Sequence, residues 1–118
     1  MMAKSILLAE DGRETQAVVR QILEGEGFMV QAVANGKEAL DALTDGTFHV
    51  AILDLGLPDV SGLEVLRRLR AKGTALPVIV ISGRHDHAIK ALNEGAQGYL
   101  VKPFTFEALR EQIGRWVR

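Results

Sequence analysis

The segment Val50-Ala51-Ile52-Leu53-Asp54-Leu55-Gly56-Leu57-Pro58-Asp59-Val60-Ser61-Gly62 begins as an unbroken apolar run of strand length and then meets a carboxylate, Asp54. Side chains alternate across a strand, so a run that is apolar at every position is buried on both faces, as in parallel sheets covered by helices on either side. Gly56, Pro58 and Gly62 break the strand, and Ser61 followed by Glu64 has the capping-box pattern of a helix start. Asp54 is thereby placed at the end of a buried strand. An ionised carboxylate there is costly without a partner, which must come from elsewhere in the chain.

Other runs have the same form. Residues 5–9 end in Glu10-Asp11, residues 77–81 end in Ser82-Gly83, and residues 98–101 end in Lys102-Pro103, while 28–33 alternates more weakly. Helical periodicity separates them. It covers 14–26, with Ala17, Val18, Ile22 and Leu23 as its apolar positions and Gly27 as its stop. A second helix is capped by Asn35 and runs through Ala39, Leu40 and Leu43 to Asp45-Gly46, and a third follows Ser61 with Leu63, Leu66 and Leu69 inward. A short fourth is capped by Asp86 and passes Ile89 and Leu92, and a fifth is capped by Thr105 with Leu109, Ile113 and Trp116 inward. Five strands alternating with five helices predict an α/β sandwich with a parallel sheet and right-handed crossovers. The flavodoxin-like doubly wound (βα)5 form has strand order 2-1-3-4-5. In it the first and third strands are neighbours at the switch point, and ligands bind beyond the carboxyl ends.

The 118 residues, 47% of them hydrophobic, suit a single domain over 1–118. A net charge of −1 gives no general attraction to nucleic acid or an anionic membrane. Arg67, Arg68, Arg70 and Lys72 close the third helix, where cations complement the helix dipole on a solvated face. The absence of cysteine excludes disulfides, thiolate metal sites and cysteine nucleophiles, and fits a cytoplasmic setting. No apolar run reaches the length of a membrane span, and Met1-Met2-Ala3-Lys4 leads into the first strand without a signal-peptide pattern.

In this topology Glu10, Asp11, Asp54, Ser82 and Lys102 share one edge of the sheet. Three adjacent carboxylates raise one another's pKa unless a cation intervenes. An all-oxygen set favours a hard divalent ion, Mg2+ or Mn2+, that keeps waters to share with a phosphate. Such a site suits in-line phosphoryl transfer, in which an aspartate can be the nucleophile and form an acyl phosphate. Asp54 is the candidate acceptor, Glu10 and Asp11 the candidate metal holders, and Lys102 and Ser82 the candidate partners of phosphoryl oxygens. His49, His85 and His87 read as surface histidines. Two alternatives compete. A magnesium-dependent phosphohydrolase with an aspartyl nucleophile, resembling the haloacid dehalogenase group, would carry a second Asp where this chain has Gly56. A nucleotide binder would want a glycine- or hydroxyl-rich phosphate loop where Glu10-Asp11 stands.

The acidic pair Glu10-Asp11, the stretch 54–62, Ser82-Gly83 and Tyr99-Leu100-Val101-Lys102-Pro103-Phe104 together make the chain resemble a receiver domain of the two-component response regulators over essentially its whole length. The resemblance implies magnesium-dependent transfer to Asp54 from the phosphohistidine of a sensor histidine kinase or histidine phosphotransfer protein. The domain would be a signalling switch rather than an enzyme, its chemistry limited to its own phosphorylation and dephosphorylation. It further implies the Gly56 carbonyl as a metal ligand, a cis bond before Pro103, and Ser82 and Tyr99 as the switch pair. Arg84 stands at a position that resembles those tuning the access of water to the phosphoryl group. An output domain, a partner protein or a second copy would read the switch on the face of the fourth helix, fifth strand and fifth helix. Trp116, were that last helix exposed, could serve such a dimer. Direct contact of this domain with nucleic acid or membrane is not implied. Two residues depart from the family pattern: Glu10, where Asp is more frequent, and Ser82, where Thr is commoner. With no output module before residue 118, the chain is expected to be a stand-alone receiver or part of a longer regulator or hybrid kinase.

Overall fold

The computed structural model describes residues 3–117, so Met1, Met2 and the reading placed on them lie outside the described residues. The strands are β1 (Ser5–Ala9), β2 (Met29–Val33), β3 (Val50–Asp54), β4 (Val78–Ser82) and β5 (Gly98–Val101). The helices are α1 (Arg13–Gly25), α2 (Gly36–Asp45), α3 (Gly62–Ala71), α4 (His85–Asn93) and α5 (Phe106–Trp116). All strand pairs are parallel and the order is β2-β1-β3-β4-β5, as the alternation of elements predicts. Among the described residues no helix is long and apolar enough to cross a membrane.

Every residue of β3 and β4 is buried because helices cover both faces of the sheet. Leu7, Ala9, Ala51, Leu53, Val78 and Val80 meet α2, α3 and α4 through Ala39, Val65, Leu66, Leu69 and Ala91. The alternate residues Ile6, Leu8, Val50, Ile52, Ile79 and Ile81 meet α1 and α5 through Val19, Leu23, Leu109 and Ile113. The period of two along the strands thus sorts one continuous apolar run into two cores.

Helix boundaries follow their caps. Asn35 Oδ1 accepts from Glu38 N at 2.8 Å, Ser61 Oγ from Glu64 N at 3.1 Å, and Thr105 Oγ1 from Ala108 N at 3.0 Å. The Glu64 carboxylate accepts from Arg68 at 3.0 Å, so it serves a salt bridge on the helix surface. In α4 the cap position is Arg84, and Asp86 lies in the first turn.

Four inward positions expected from periodicity are corrected. In α1 the buried residues are Val19 and Leu23, whereas Ala17 is exposed and Val18 is 55% exposed, because a 100° step per residue lets only the i, i+4 pair face the sheet squarely. In α4 the sheet is met by Ala88 and Ala91, and Ile89 points outward. Trp116 in α5 is 40% exposed: its indole lies near Gly98 at the start of edge strand β5, with no further strand to cover the ring. A further correction concerns Arg70, which is not part of a solvated face. Its guanidinium donates to the carbonyls of Gly95, Thr74 and Leu76 and to Gln97 Oε1, and so ties the end of α3 to the loops flanking β4 and β5. Arg67 and Arg68 are paired with glutamates, Arg67 with Glu94 and Arg68 with Glu64.

Gly62 starts α3 directly over the end of β3. A Cβ built there would lie 2.2 Å from the Asp54 carbonyl oxygen. The obstacle is backbone and cannot swing aside, so Gly62→Ala is expected to cost about 3 kcal/mol. Thermal unfolding followed by circular dichroism checks this, with a melting temperature lowered by roughly 10 °C.

Candidate functional site

The buried polar or charged residues among those described are Glu10, Asp54 and Ser82. All three stand at carboxyl ends of strands, where the backbone leaves the sheet and polar groups can be brought together without interrupting a core. Parallel register sets Ala9 beside Leu53 and Asp54 beside Ile81, so the ends of β1, β3 and β4 are level. Carboxylate oxygens of Glu10, Asp11 and Asp54 lie within 4.8 Å of one another, with Glu10 and Asp54 buried and Asp11 exposed. Lys102 reaches across from the end of β5. Its Nζ donates to Asp54 Oδ2 at 2.8 Å and pairs with Glu10 Oε1 at 2.8 Å. Gly56 N donates to Asp54 Oδ1 at 2.8 Å, and Gly12 N to Glu10 Oε2 at 3.1 Å. Glu10 Oε1 is buried and, beyond the proximity of the ammonium, accepts no well-directed hydrogen bond.

Ser82 stands at this edge with its Oγ accepting from Arg84 N at 3.0 Å. Arg84 is turned to the surface, where it pairs with Asp86 at 3.1 Å rather than with the carboxylate cluster. Tyr99 is half-buried on the sheet face it shares with Ser82, since β5 pairs Tyr99 with Val80 and Val101 with Ser82. Its ring meets that of His85 edge-on, centroids 5.5 Å apart. The Lys102–Pro103 bond is cis. His49 takes a local role at the opposite end of the sheet, accepting from Ser5 N at 3.0 Å. Gln16 escaped the sequence reading. Its Nε2 donates to the carbonyls of Glu10 at 2.9 Å and Val33 at 3.0 Å, clamping the β1–α1 turn to the end of β2. The available signal was a polar residue three positions before Val19, on an otherwise apolar stripe.

The sequence pattern of the response regulator receiver domain family matches residues 6–114. The chain belongs to this family. Among relatives of the receiver, the uncharacterized transcriptional regulatory protein YkoG of Bacillus subtilis is 41% identical over 110 residues, which are 92% of this chain and 48% of YkoG. The chain thus spans about half the length of the curated relatives it matches. Among solved structures, the Francisella response regulator 1452 receiver domain superposes with a TM-score of 0.91 at 26% identity, covering 96% of this chain and 95% of that one. The response regulator TrrA of Thermotoga maritima, in complex with Mg2+ and BeF, gives 0.89 at 29% identity over 97% of this chain and 99% of that one.

Charge in the receiver's site is set by burial and by contact. Burial pushes the Glu10 carboxyl up from its ordinary 4.5 to about 7, and a hydrogen bond shared with Asp54 adds to this against the pull of Lys102 and Gly12 N–H. Burial also acts upward on Asp54, but hydrogen bonds from Glu10, Lys102 and Gly56 N outweigh it and hold Asp54 below the usual range. Lys102 is raised, since its hydrogen bonds to both carboxylates overcome its own desolvation. Without a metal, a proton taken up by the site therefore favours Glu10 over Asp54. An all-oxygen donor set with one buried, poorly satisfied carboxylate oxygen fits a hard divalent cation, for which that proton would be exchanged.

The linkage has a definite sign. Below the ordinary Glu pKa, Glu10 is protonated folded and unfolded alike. Between 4.5 and about 7 the unfolded chain releases this proton while the folded one keeps it. Metal-free stability therefore falls as pH rises through that window, by on the order of 1–3 kcal/mol. Asp54 acts oppositely at lower pH, its contribution being lost as pH falls through its depressed pKa. Denaturant unfolding of wild type and Glu10→Gln in EDTA isolates the Glu10 part. Added Mg2+ is expected to stabilise wild type more at pH 8 than at pH 5.5, because the proton competes for the same oxygens.

Proposed function

We propose that this receiver takes a phosphoryl group onto Asp54 from a phosphohistidine donor, a histidine kinase or histidine phosphotransfer protein, and signals through the resulting change in conformation. The observation that carries the reading is the contact of one buried aspartate with a lysine ammonium at 2.8 Å and with a three-carboxylate cluster. Glu10, Asp11 and Asp54, with the Gly56 carbonyl, would hold Mg2+, which supplies neutralisation of phosphoryl charge when bound.

Asp54 attacks phosphorus with a carboxylate oxygen, the donor's P–N bond breaks, and its imidazole leaves with the electron pair. Asp54 is competent because its environment keeps it ionised. Gly56 N–H orients the carboxylate by holding Oδ1. Lys102, already beside Oδ2, exchanges part of its pairing with Asp54 for the incoming phosphoryl oxygens. Ser82 Oγ accepts one backbone proton and keeps its own to donate to the same group. Movement of Ser82 would free space for Tyr99 on their common face, shifting the population of α4 against β5. Exposed Ile89 and Trp116 lie on the two helices flanking β5, where an output module, a partner or a second copy would bind.

Intact-mass spectrometry after incubation with acetyl phosphate tests the reading. One added phosphoryl group is expected with Mg2+ and none in EDTA, with little turnover of small phosphoesters. An unchanged mass in Mg2+ would remove the acceptor role.

A further inference from the structure

The loop joining Asp54 to α3 is fastened sideways to α2 by a residue that the phosphoryl chemistry does not use. Asp59 has φ +61°, a left-handed conformation that is uncommon outside glycine and persists where surrounding contacts hold it. The contacts are on both sides of the residue. Asp59 Oδ1 accepts from the next backbone N–H, that of Val60, and from Gly36 N at 3.0 Å, twenty-three positions earlier in the chain. Gly36 is the first residue of α2, and its N–H is one of those that a helix leaves without an internal acceptor. Asn35 serves the Glu38 N–H, so Asp59 completes the cap from another segment.

The backbones meet at the same place. A Cβ at Gly36 would lie 1.8 Å from the Val60 carbonyl oxygen, so the loop rests directly on the helix start. Farther along, Gly62 is pressed on the Asp54 carbonyl, and Leu57 is buried in the core under α2 and α3. Gly56 lies inside these anchors, and its N–H holds the Asp54 carboxylate. The hydrogen bonds that join the loop to α2 are made at Gly36, whose N–H is shared between Asp59 Oδ1 and the Pro58 carbonyl, the latter at 3.4 Å.

We propose that Asp59 is a positioning residue: by clasping the loop 55–61 to the N-terminus of α2, it fixes the backbone at Gly56 and so sets the affinity of the Asp54 site for a divalent cation. The inference rests on the metal site of the proposed function. Asp59 does not touch the reacting atoms. It acts by limiting the excursions of a glycine that has no side chain of its own to hold it.

Two substitutions separate the clasp from backbone strain and from charge. Asp59→Gly removes the acceptor while adopting positive φ without penalty. Asp59→Asn keeps Oδ1 as an acceptor and removes the charge. Mg2+ is titrated into each variant and into wild type, followed by amide chemical shifts of the β3–α3 loop, with melting temperatures recorded in EDTA. Asp59→Gly is expected to bind Mg2+ about tenfold more weakly with a metal-free melting temperature near that of wild type, and Asp59→Asn to bind nearly as wild type. At saturating Mg2+ the phosphorylation rates of all three should converge, which a role in the chemistry itself would not allow. Equal Mg2+ affinity in wild type and Asp59→Gly overturns the clasp. Equal weakening in Asp59→Gly and Asp59→Asn overturns it in favour of a charge effect. A wild-type protein that binds no Mg2+ instead overturns the metal reading beneath it.

Discussion

Asp54→Asn is expected to gain no phosphoryl group under conditions in which the wild-type receiver is expected to gain one, a fall of at least about 10³-fold in rate. The amide matches the carboxylate in shape and can still accept from Gly56 N–H through Oδ1, so the loop keeps its anchor. What it lacks is the anionic oxygen that attacks phosphorus, together with the charge that Lys102 and a divalent cation recognise. Loss of fold does not account for the result. Removing one of two buried carboxylates relieves the repulsion that contributes to the raised pKa of Glu10, and Lys102 keeps its contact with Glu10. Asp54→Asn should therefore still unfold in one cooperative transition well above the assay temperature in EDTA. Intact mass and a melting curve on the same sample check both halves, and a phosphoryl gain at the wild-type rate would place the acceptor elsewhere.

Lys102→Met is expected to move metal binding and phosphoryl uptake in opposite directions. The ammonium lies 2.8 Å from both Asp54 and Glu10, inside the region where an incoming cation would be attracted. Deleting a fixed positive charge there strengthens Mg2+ binding by about tenfold or more, since like charges a few ångströms apart repel by about 4 kcal/mol even at an effective dielectric of about 20. Phosphoryl uptake at saturating Mg2+ nevertheless falls by about 10²-fold, because the arriving oxygens lose a pre-oriented cation. In EDTA the variant is also less stable, since two buried carboxylates lose their shared counterion. Titration with Mg2+ and rates at saturating metal separate the effects. Parallel loss of affinity and rate would reduce Lys102 to a structural role.

The elements legible in the chain were those set by neighbours in sequence. All-apolar runs marked β3 and β4 as buried on both faces, and the strand ends carried Asp54, Glu10-Asp11, Ser82 and Lys102 to one edge. Asn35, Ser61 and Thr105 capped the helices as their positions implied. Less legible was which way a side chain faces once its helix has docked. Val18 and Trp116 obey helical spacing as well as Val19 and Ile113 do, but only the latter lie over strands. Arg70 had the composition of a solvated helix end, and only the approach of the Gly95, Thr74 and Leu76 carbonyls makes it an internal tie.

Periodicity, capping residues and the chemistry at strand ends depend on the order of residues along the chain, and from them followed the α/β class, the strand order and the members of the site. The charge states of those members did not follow. Glu10 and Asp11 are adjacent acids, yet one is buried with its carboxyl pushed up toward the neutral form while the other faces solvent. Desolvation and Coulomb energy depend on distance and on exclusion of water, and residues 10, 54 and 102 acquire both only when three strands align. The Asp59–Gly36 clasp has the same origin: each residue is unremarkable in its own segment, and the contact exists because α2 and the β3–α3 loop pack on one face of the sheet.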